Sequence, residues 1–373
     1  MSTLYVTEPG SRVEKEYGRL IVTKEDEVRL AVPAAQVSEV VLMSGVGVTT
    51  PAMLALLDQG AGLTIITSGG RLRGRLIAAE ARNLPLRHKQ YARSGDEKFC
   101  LEISRAIVLG KLRNSRTLAR RMMRQMADGT LAAADSGSGG GDEPSLDEDS
   151  KLVVSEAEPS QTPREASKNQ NLNDEIERIT QGMKQAREAK DLAVLRGAEG
   201  FGSRAYFAIL KKSLREEFAF EKRTRRPPKD EANALLSLAY SLLTNALFTA
   251  CEVAGLDAYD GFFHADKYGR PALALDLVEE FRSIVADSVV LTVVNNRMIK
   301  TDEFEYQAEG GVHLAHRALK LFLSQFGRRL NSEVFHPDAG RALSYQKVFE
   351  LQARRLRKCI ESGTPNYEPF VAK

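Results

Sequence analysis

The stretch GFFHADKYGRPALALDLVEEF, residues 261–281, places a histidine ahead of a segment with helical periodicity. Pro271 suits the first turn of a helix, and the apolar residues after it mark a core face. These apolar residues are Leu277, Val278, Phe281, Ile284, Val285 and Val289. At 100° per residue, Asp276, Glu279 and Ser283 fall together on the opposite side, with Glu280 close by. The stretch therefore predicts a helix that buries one face and presents two or three carboxylates on the other.

Two interpretations of these carboxylates are open. Carboxylate oxygens together with the imidazole of His264 suit Mg²⁺ or Mn²⁺, and without a nearby thiolate they are a poor set for structural zinc. Alternatively, the acids only occupy a first helical turn, where the helix dipole favours negative charge. A third ligand would come from elsewhere. Glu199 in VLRGAEGF is the best candidate, because it lies between glycines at the boundary of two apolar helical patterns.

Residues 1–92 are predicted to form a β-rich domain. Six β-branched runs separated by Gly, Pro or charged turns are typical of short strands. They are LYVTEPG, RLIVTK, EVRLAVP, VSEVVLM, GLTIITS and GRLRGRLIAAE. One helix interrupts them, with Pro51 at its first position and Gly60 at its end. The pattern favours a small β-sandwich or curled sheet with one helix.

The remaining chain has helical periodicity. It covers residues 97–127 without strand alternation, resumes near Asn173 and continues in pieces to about Gly363. We therefore expect an α+β protein, in which a small N-terminal β-sandwich-like domain is followed by a larger all-α domain. The all-α domain spans residues 97–363 and carries the carboxylate helix, and residues 364–373 form a tail.

Residues 129–170 interrupt the helical region with an acidic, low-complexity insertion rich in Gly, Ser and Pro. Such a segment cannot bury enough apolar surface to offset its ordering entropy, so it is predicted to be disordered. From Thr130 to Ser160, eight acidic residues and one basic residue give a net charge of −7. The whole chain carries +3, which leaves +10 on the remainder. A folded part this basic is compatible with a polyanionic partner.

Cysteine usage and hydropathy narrow the class of protein. The three cysteines, at positions 100, 251 and 359, are far apart and form no CxxC pattern, which indicates buried thiols in a reducing compartment. No window approaches the ~18 apolar residues of a membrane span, and the N-terminus lacks a signal-peptide pattern. We therefore expect a cytoplasmic protein with no membrane contact. Phosphate-loop, GxSxG and HExxH motifs do not occur.

Several separated blocks resemble the family of CRISPR-associated spacer-acquisition integrases, which are metal-dependent DNA endonucleases and integrases encoded beside CRISPR arrays. They are KLRNSRTL (111–118), LRGAEG (195–200), RTRRPPKDEANALLSLAYSLL (223–243) and GLDAYDGFFHADKYGRPALALDLVEEFR (255–282). The runs VVLMSGVGVTTPAMLALLDQGAGLTIITSGGRLRGRL and LRHKQY are also similar, so the resemblance covers nearly the whole chain except the acidic insertion. The chain departs from the family at Ser237, where an asparagine is common, and in the length of the insertion.

The resemblance implies a site and a reaction. Glu199, His264 and Glu279 are expected to bind Mg²⁺ or Mn²⁺, and Asp276 is similar to an acid that the family also uses near the site. In the reaction, the 3′-hydroxyl of a short DNA duplex attacks a phosphodiester at the edge of a CRISPR repeat, and water in its place gives nuclease activity. Because a metal-binding imidazole is neutral, activity is expected to fall in mildly acidic buffer.

The resemblance also implies partners. These are double-stranded DNA, a second copy of the chain joined through the N-terminal part, and a small CRISPR-associated partner protein that bridges two dimers. Two arginine clusters and residues 354–358 are candidates to hold DNA through its phosphates, with a solvated surface as the alternative. The first cluster is Arg113, Arg116, Arg120 and Arg124, spaced three or four apart, and the second is Arg223, Arg225 and Arg226.

Two other functions stay open. One is a non-catalytic DNA-binding scaffold of the same fold, although a scaffold has no need of three intact metal ligands. The other is a mobile-element integrase or a branched-DNA nuclease of the same family. The acidic insertion is either a solvated spacer or a DNA mimic that masks a basic groove.

Overall fold

The computed structural model of the chain describes residues 2–67, 70, 72–76, 83–128, 163–225, 227–264, 268–307 and 310–372. Residues 129–162 of the predicted insertion lie outside these ranges. The strands are β1 (Ser2–Val6), β2 (Arg12–Glu16), β3 (Arg19–Lys24), β4 (Glu27–Pro33), β5 (Val37–Met43), β6 (Gly47–Val48), β7 (Gly62–Ile66), β8 (Leu72–Leu76), β9 (Phe304–Tyr306), β10 (Val312–Leu314), β11 (Glu333–His336) and β12 (Arg341–Ser344). The helices are α1 (Thr50–Asp58), α2 (Leu84–Ser94), α3 (Glu97–Ala127), α4 (Pro163–Glu188), α5 (Leu192–Ser213), α6 (Glu231–Val253), α7 (Ala272–Phe281), α8 (Ser288–Asn295), α9 (His316–Asn331) and α10 (Tyr345–Ser362).

The N-terminal region contains two four-stranded sheets that share one core. The first has the order β1-β5-β7-β8, with β1, β5 and β7 parallel and β8 antiparallel to β7. The second has the order β4-β3-β2-β6. Val13 and Leu20 of the second sheet pack in the same apolar cluster as Val40 of the first sheet and Leu56 of α1. The predicted strand-rich N-terminal region is confirmed, but α2 begins within residues 1–92 and was not predicted. Strand β2 was not predicted, because Val13 is its only buried residue and charged residues dominate its sequence RVEKE.

Helix α6 is a central element of the helical region. It packs against α7 on one side and α10 on the other, and Leu235, Leu236 and Leu243 are fully buried in it. By length and composition α6 could cross a membrane, contrary to the expectation that the sequence contains no apolar window of that length. Most of it is buried inside the helical region instead, as is typical of a core helix.

Helices α3, α4 and α5 pack together through small residues. The Cβ of any larger residue at Gly202 of α5 would lie 2.7 Å from a methyl carbon of Leu112 on α3. At Gly182 of α4 it would lie 3.2 Å from the Gly202 backbone. These glycines let the three helices approach closely, which brings the side chains of α3 and α5 together beside α7.

The helical region differs from the predicted all-α architecture in two ways. It contains two antiparallel pairs, β9 with β10 and β11 with β12. The predicted tail also joins the core, since Tyr367, Phe370 and Ala372 are at most 4% exposed. The three cysteines are buried thiols, as predicted.

Candidate active site

The carboxylate of Asp276 organises the loop that carries His264. It is fully buried and accepts hydrogen bonds from the backbone N–H groups of Phe262 (2.7 Å), Phe263 (3.0 Å) and His264 (2.9 Å). Its Oδ1 also lies 2.7 Å from Nδ1 of His264. Gly261 makes this packing possible, because a Cβ there would lie 2.9 Å from Oδ2 of Asp276. With the ring proton on Nδ1, facing the carboxylate, Nε2 of His264 keeps its lone pair for another partner.

Glu279 lies one turn further along α7 and is surrounded by cations. Its Oε1 is 2.9 Å from a terminal guanidinium nitrogen of Arg282 and 3.7 Å from Nε2 of His264. Its Oε2 is 2.7 Å from Nζ of Lys111 on α3. Burial alone would raise the pKa of Glu279, but the charges of Arg282 and Lys111 outweigh it and lower the pKa to about 2. The carboxylate is therefore ionised at any physiological pH.

Glu199 reaches the same cation from another helix. Lys111 donates a hydrogen bond to Oε1 of Glu199, and the hydroxyl of Ser203 donates to the same oxygen at 2.7 Å. The predicted helix boundary at Glu199 is wrong, because α5 runs unbroken through the LRGAEG block. Gly197 and Gly200 of the block face open space, whereas Gly202, two residues beyond it, packs closely against Leu112 of α3. Lys111 thus joins the glutamates of α5 and α7.

The three predicted ligands are brought to one region with a cation among them. Across the ranges that the structure describes, no three His, Cys, Asp or Glu side chains are close enough to form a metal site as they stand. The ammonium group of Lys111 instead takes the position between Glu199 and Glu279. The donor set nevertheless fits Mg²⁺ or Mn²⁺, because it offers two carboxylates and an imidazole nitrogen around a place that already accepts a cation.

The helical wheel placed Glu280 close to the polar face of α7, but Glu280 does not face solvent. Its carboxyl is fully buried and accepts hydrogen bonds from Tyr367 (2.5 Å), Gln352 (3.1 Å) and the backbone N–H of Phe370 (2.8 Å). Burial raises the pKa of Glu280 to about 7, and these hydrogen bonds only partly oppose the shift. Helix α7 therefore has no solvent-facing side, since the C-terminal segment, residues 364–372, covers one flank and α3 covers the polar one.

Lys111 and Asn114 were both missed, although they lie within the KLRNSRTL block. Asn114 is fully buried and donates to the carbonyl oxygens of Glu280 (2.7 Å) and Phe370 (2.9 Å), while its own oxygen accepts from the N–H of Ala372 (3.0 Å). The signal was present in the sequence. A lysine and an asparagine, three residues apart, occupy the apolar face of α3, where buried polar groups need partners.

A π-helical segment, Arg282–Asp287, follows α7 directly. Asp287 is fully buried and accepts hydrogen bonds from the hydroxyls of Tyr206 (2.7 Å) and Tyr240 (2.6 Å). The guanidinium of Arg282 lies 4.8 Å from the centroid of the Tyr240 ring, a cation–π arrangement. Burial raises the pKa of both tyrosines well above the ordinary value, so both remain donors. The segment thereby holds Arg282 against Glu279.

The two predicted arginine clusters have different surroundings. Arg113, Arg116, Arg120 and Arg124 lie along α3, and burial together with the charges of Arg120, Arg113 and Arg187 lowers the pKa of Arg116. Arg223 instead points inward, where it donates to Oδ1 of Asn233 (2.7 Å) and to the hydroxyl of Ser237 (2.9 Å). Arg225 is exposed, and Arg226 lies outside the described residues.

The family model described as "CRISPR associated protein Cas1" matches residues 4–136 and 154–328. The chain belongs to the Cas1 family. Among its relatives is the CRISPR-associated endonuclease Cas1 3 of Thermus thermophilus, which is 35% identical over 376 residues, 100% of this chain and 98% of the relative. The Cas1 1 endonuclease of Moorella thermoacetica is 32% identical over 374 residues, again 100% of this chain and 98% of the relative. The predicted family and enzyme class, a Cas1 endonuclease, are confirmed.

A third relative places the Cas1 sequence in a longer chain. A Cas4 exonuclease/Cas1 endonuclease fusion of Geobacter sulfurreducens is 36% identical over 377 residues, which cover 99% of this chain and 60% of the fusion.

Solved structures agree with the Cas1 fold. A casposase bound to integration product superposes with a TM-score of 0.76 at 19% identity, over 100% of this chain and 96% of that chain. A Cas1 protein from Thermotoga maritima superposes with a TM-score of 0.72 at 20% identity, over 100% and 99%. A Cas6-RT-Cas1–Cas2 complex gives 0.74 at 21% identity, over 100% of this chain and 36% of that one.

Proposed function

We propose that this Cas1 protein is a metal-dependent DNA endonuclease and integrase that inserts short DNA duplexes into a CRISPR array. The observation that carries the proposal is the meeting of Glu199 and Glu279 around one buried cation, with Nε2 of His264 beside them. Helices α3, α5 and α7 and the loop before α7 supply these groups. A DNA-binding scaffold would have no need to hold two carboxylates around a buried cation in this way.

The chain's own residues would prepare the metal site. Glu199, Glu279 and Nε2 of His264 would hold Mg²⁺ or Mn²⁺, which when bound polarises the scissile phosphodiester and stabilises charge on the entering or leaving oxygen. Asp276 keeps the ring proton on Nδ1 of His264 and so leaves Nε2 free to bind. Arg282 holds the carboxylate of Glu279 in place through Oε1.

The charges of the site suit an anionic substrate once a divalent ion is present. The ionised carboxylates of Glu199, Asp276 and Glu279 and the cations of Lys111 and Arg282 give a formal charge of −1. A divalent ion makes the site more positive, which favours the negative charge of a phosphodiester. DNA binding at the site is therefore expected to depend on the metal.

Partners follow from the relatives' names and from the surface of the N-terminal sheets. The integration product of the casposase and the Cas2 protein of the Cas6-RT-Cas1–Cas2 complex support DNA and a small CRISPR-associated protein as partners. Tyr17, Val28 and Leu30 are exposed apolar side chains beside and on β4, the edge strand of the second sheet. Exposed apolar side chains at a sheet edge favour association, which supports a homodimer formed through this region.

The test is strand transfer of a labelled duplex into a supercoiled plasmid that carries a CRISPR array, with Mn²⁺ present. We expect His264→Ala to abolish transfer, while the control variant His316→Ala, at an exposed position on α9, keeps it. Equal transfer by wild type and His264→Ala would contradict the assignment of the metal site. Tight DNA binding without transfer, in wild type as well, would favour the scaffold instead.

A further inference from the structure

The ammonium group of Lys111 occupies the place where the two predicted glutamate ligands meet. The side chain is 7% exposed and comes from α3, whereas the glutamates come from α5 and α7. Its Nζ donates to Oε1 of Glu199 and lies 2.7 Å from Oε2 of Glu279. A single buried cation therefore links the two carboxylates.

This cation has an electrostatic role in the protein without metal. Glu279 is 3% exposed and Glu199 is 21% exposed, so their negative charges would repel each other with little screening by water. The ammonium group offsets that repulsion and keeps both carboxylates directed at one point. Removal of one partner from such a buried group leaves uncompensated charge, which is strongly destabilising.

A divalent metal would need the same place. Mg²⁺ lies at about 2.1 Å from its oxygen ligands, and the inner oxygens of both glutamates already contact Nζ of Lys111. A divalent ion placed between these two oxygens would overlap the ammonium group, so the two cations cannot share this position. One of the two has to leave.

Lys111 is the cation that can leave. Its charge sits at the end of a flexible four-carbon stem, so Nζ can move while the stem stays packed. Arg282 is held differently, since it binds the other oxygen of Glu279 at 2.9 Å and stacks on the ring of Tyr240. Its guanidinium can stay in place when a metal binds at Oε2.

We propose that Lys111 is a resident cation that holds Glu199 and Glu279 together in the metal-free enzyme and that the divalent metal must displace. The proposal rests on the proposed metal site. Lys111 thereby sets the concentration of metal at which the enzyme becomes active, and it keeps the site assembled below that concentration.

The first test measures Mn²⁺ binding to the full chain without DNA, from the electron paramagnetic resonance signal of free Mn²⁺. We expect Lys111→Met to bind at least tenfold more tightly than wild type, because the competing charge is gone. Metal-free Lys111→Met should also unfold at a lower temperature than metal-free wild type. Saturating Mn²⁺ should raise the unfolding temperature of Lys111→Met by more than it raises that of wild type. Lys347→Met, which removes a lysine paired with Glu350 on α10, is the matched control.

The outcomes separate the two proposals. Glu199→Gln is added to wild type and to Lys111→Met, and the Mn²⁺ binding that is lost on this change is binding at this site. Binding that depends on Glu199 in wild type, but is equal or weaker in Lys111→Met, would overturn the role of Lys111 alone. Absence of any Glu199-dependent binding would overturn the metal site as well.

A second measurement uses only the wild-type protein, in case the variant does not fold. A short pulse of an acylating reagent, read by mass spectrometry, reports how reactive each lysine is. We expect Mn²⁺ to raise the reactivity of Lys111, because its ammonium group loses both carboxylate partners, and to leave Lys347 unchanged. Unchanged or lower reactivity of Lys111 would contradict displacement.

Discussion

Glu279 and Glu280 are consecutive residues of α7, both are buried, and their pKa values are displaced in opposite directions. The cations Arg282 and Lys111 lower the pKa of Glu279 to about 2, against the effect of burial. Burial raises the pKa of Glu280 to about 7, because its partners are neutral donors. Adjacent positions on a helix point about 100° apart. One carboxyl therefore faces the candidate metal site and the other faces the C-terminal segment.

The raised pKa of Glu280 predicts a pH-dependent stability. Between its ordinary pKa of 4.5 and about 7, Glu280 stays protonated in the folded chain but ionises in the unfolded one. Its contribution to the free energy of unfolding is therefore complete below pH 4.5 and lost as the pH rises through 7. As the pH rises from 5 to 8, the free energy of unfolding of Glu280→Gln should increase by about 2–3 kcal/mol relative to that of wild type. Urea unfolding at several pH values measures this, with Glu333→Gln, at an exposed position, as control. A difference that does not change with pH would contradict it.

Asp276→Asn should reduce strand transfer by roughly 10- to 100-fold, which is typical when a group that orients a metal-binding histidine is changed. The amide nitrogen of asparagine would face N–H groups from which Asp276 now accepts hydrogen bonds. The proton on Nδ1 of His264 would also lose its carboxylate partner. Initial rates of transfer at saturating DNA check this, and Asp302→Asn, at an exposed position, should match wild type. Full activity of Asp276→Asn would show that Asp276 does not orient His264.

Phe370→Ala should lower the free energy of unfolding by about 3–5 kcal/mol, the usual cost of emptying a buried phenylalanine site. Phe370 is 2% exposed and stacks on Phe281 at the end of α7, with ring centroids 5.7 Å apart. Phe335→Ala is the matched control, since Phe335 is 44% exposed on β11. Equal losses in the two variants, measured by chemical denaturation, would mean that the C-terminal segment does not support the core.

The α3 arginines and Arg223 should respond differently to substitution. Replacing exposed Arg120 or Arg124 by alanine should weaken DNA binding and reduce the slope of log affinity against log salt by about 1, as expected for a lost phosphate contact. Arg223→Ala should mainly lower stability, because its guanidinium is bonded to Asn233 and Ser237 inside the fold. Fluorescence anisotropy over a salt series measures the first effect and thermal unfolding the second. An unchanged salt slope would leave the α3 arginines as a solvated surface.

Long, uninterrupted periodicity made some elements predictable from sequence. Helix α3 begins and ends where the pattern of residues 97–127 begins and ends. The partner of a buried polar residue could not be predicted from such periodicity. The helical wheel placed Glu280 beside Glu279, but the residues that bury Glu280 come from positions 352, 367 and 370. Local periodicity carries no information on contacts at such separations.

The site residues were also predicted only in part. Glu199, His264 and Glu279 were selected through the resemblance to a family, since spacing alone left two interpretations of the acids open. Lys111 was not predicted, because the spacing that selected the arginines of the same helix says nothing about burial. A lone lysine on an apolar helix face was the better signal, because burial of a charge requires a partner of opposite sign.

The contact between Glu280 and the backbone of Phe370 spans 90 residues of sequence. On the ribosome, chains grow at roughly 5–20 residues per second, so Glu280 is made several seconds to some twenty seconds before its partner. During that interval the flank of α7 that Phe370 will cover is open. Completion of the core around the candidate catalytic helix therefore waits for that interval, and a ribosome that stalls within it yields a protein whose α7 lacks one of its walls.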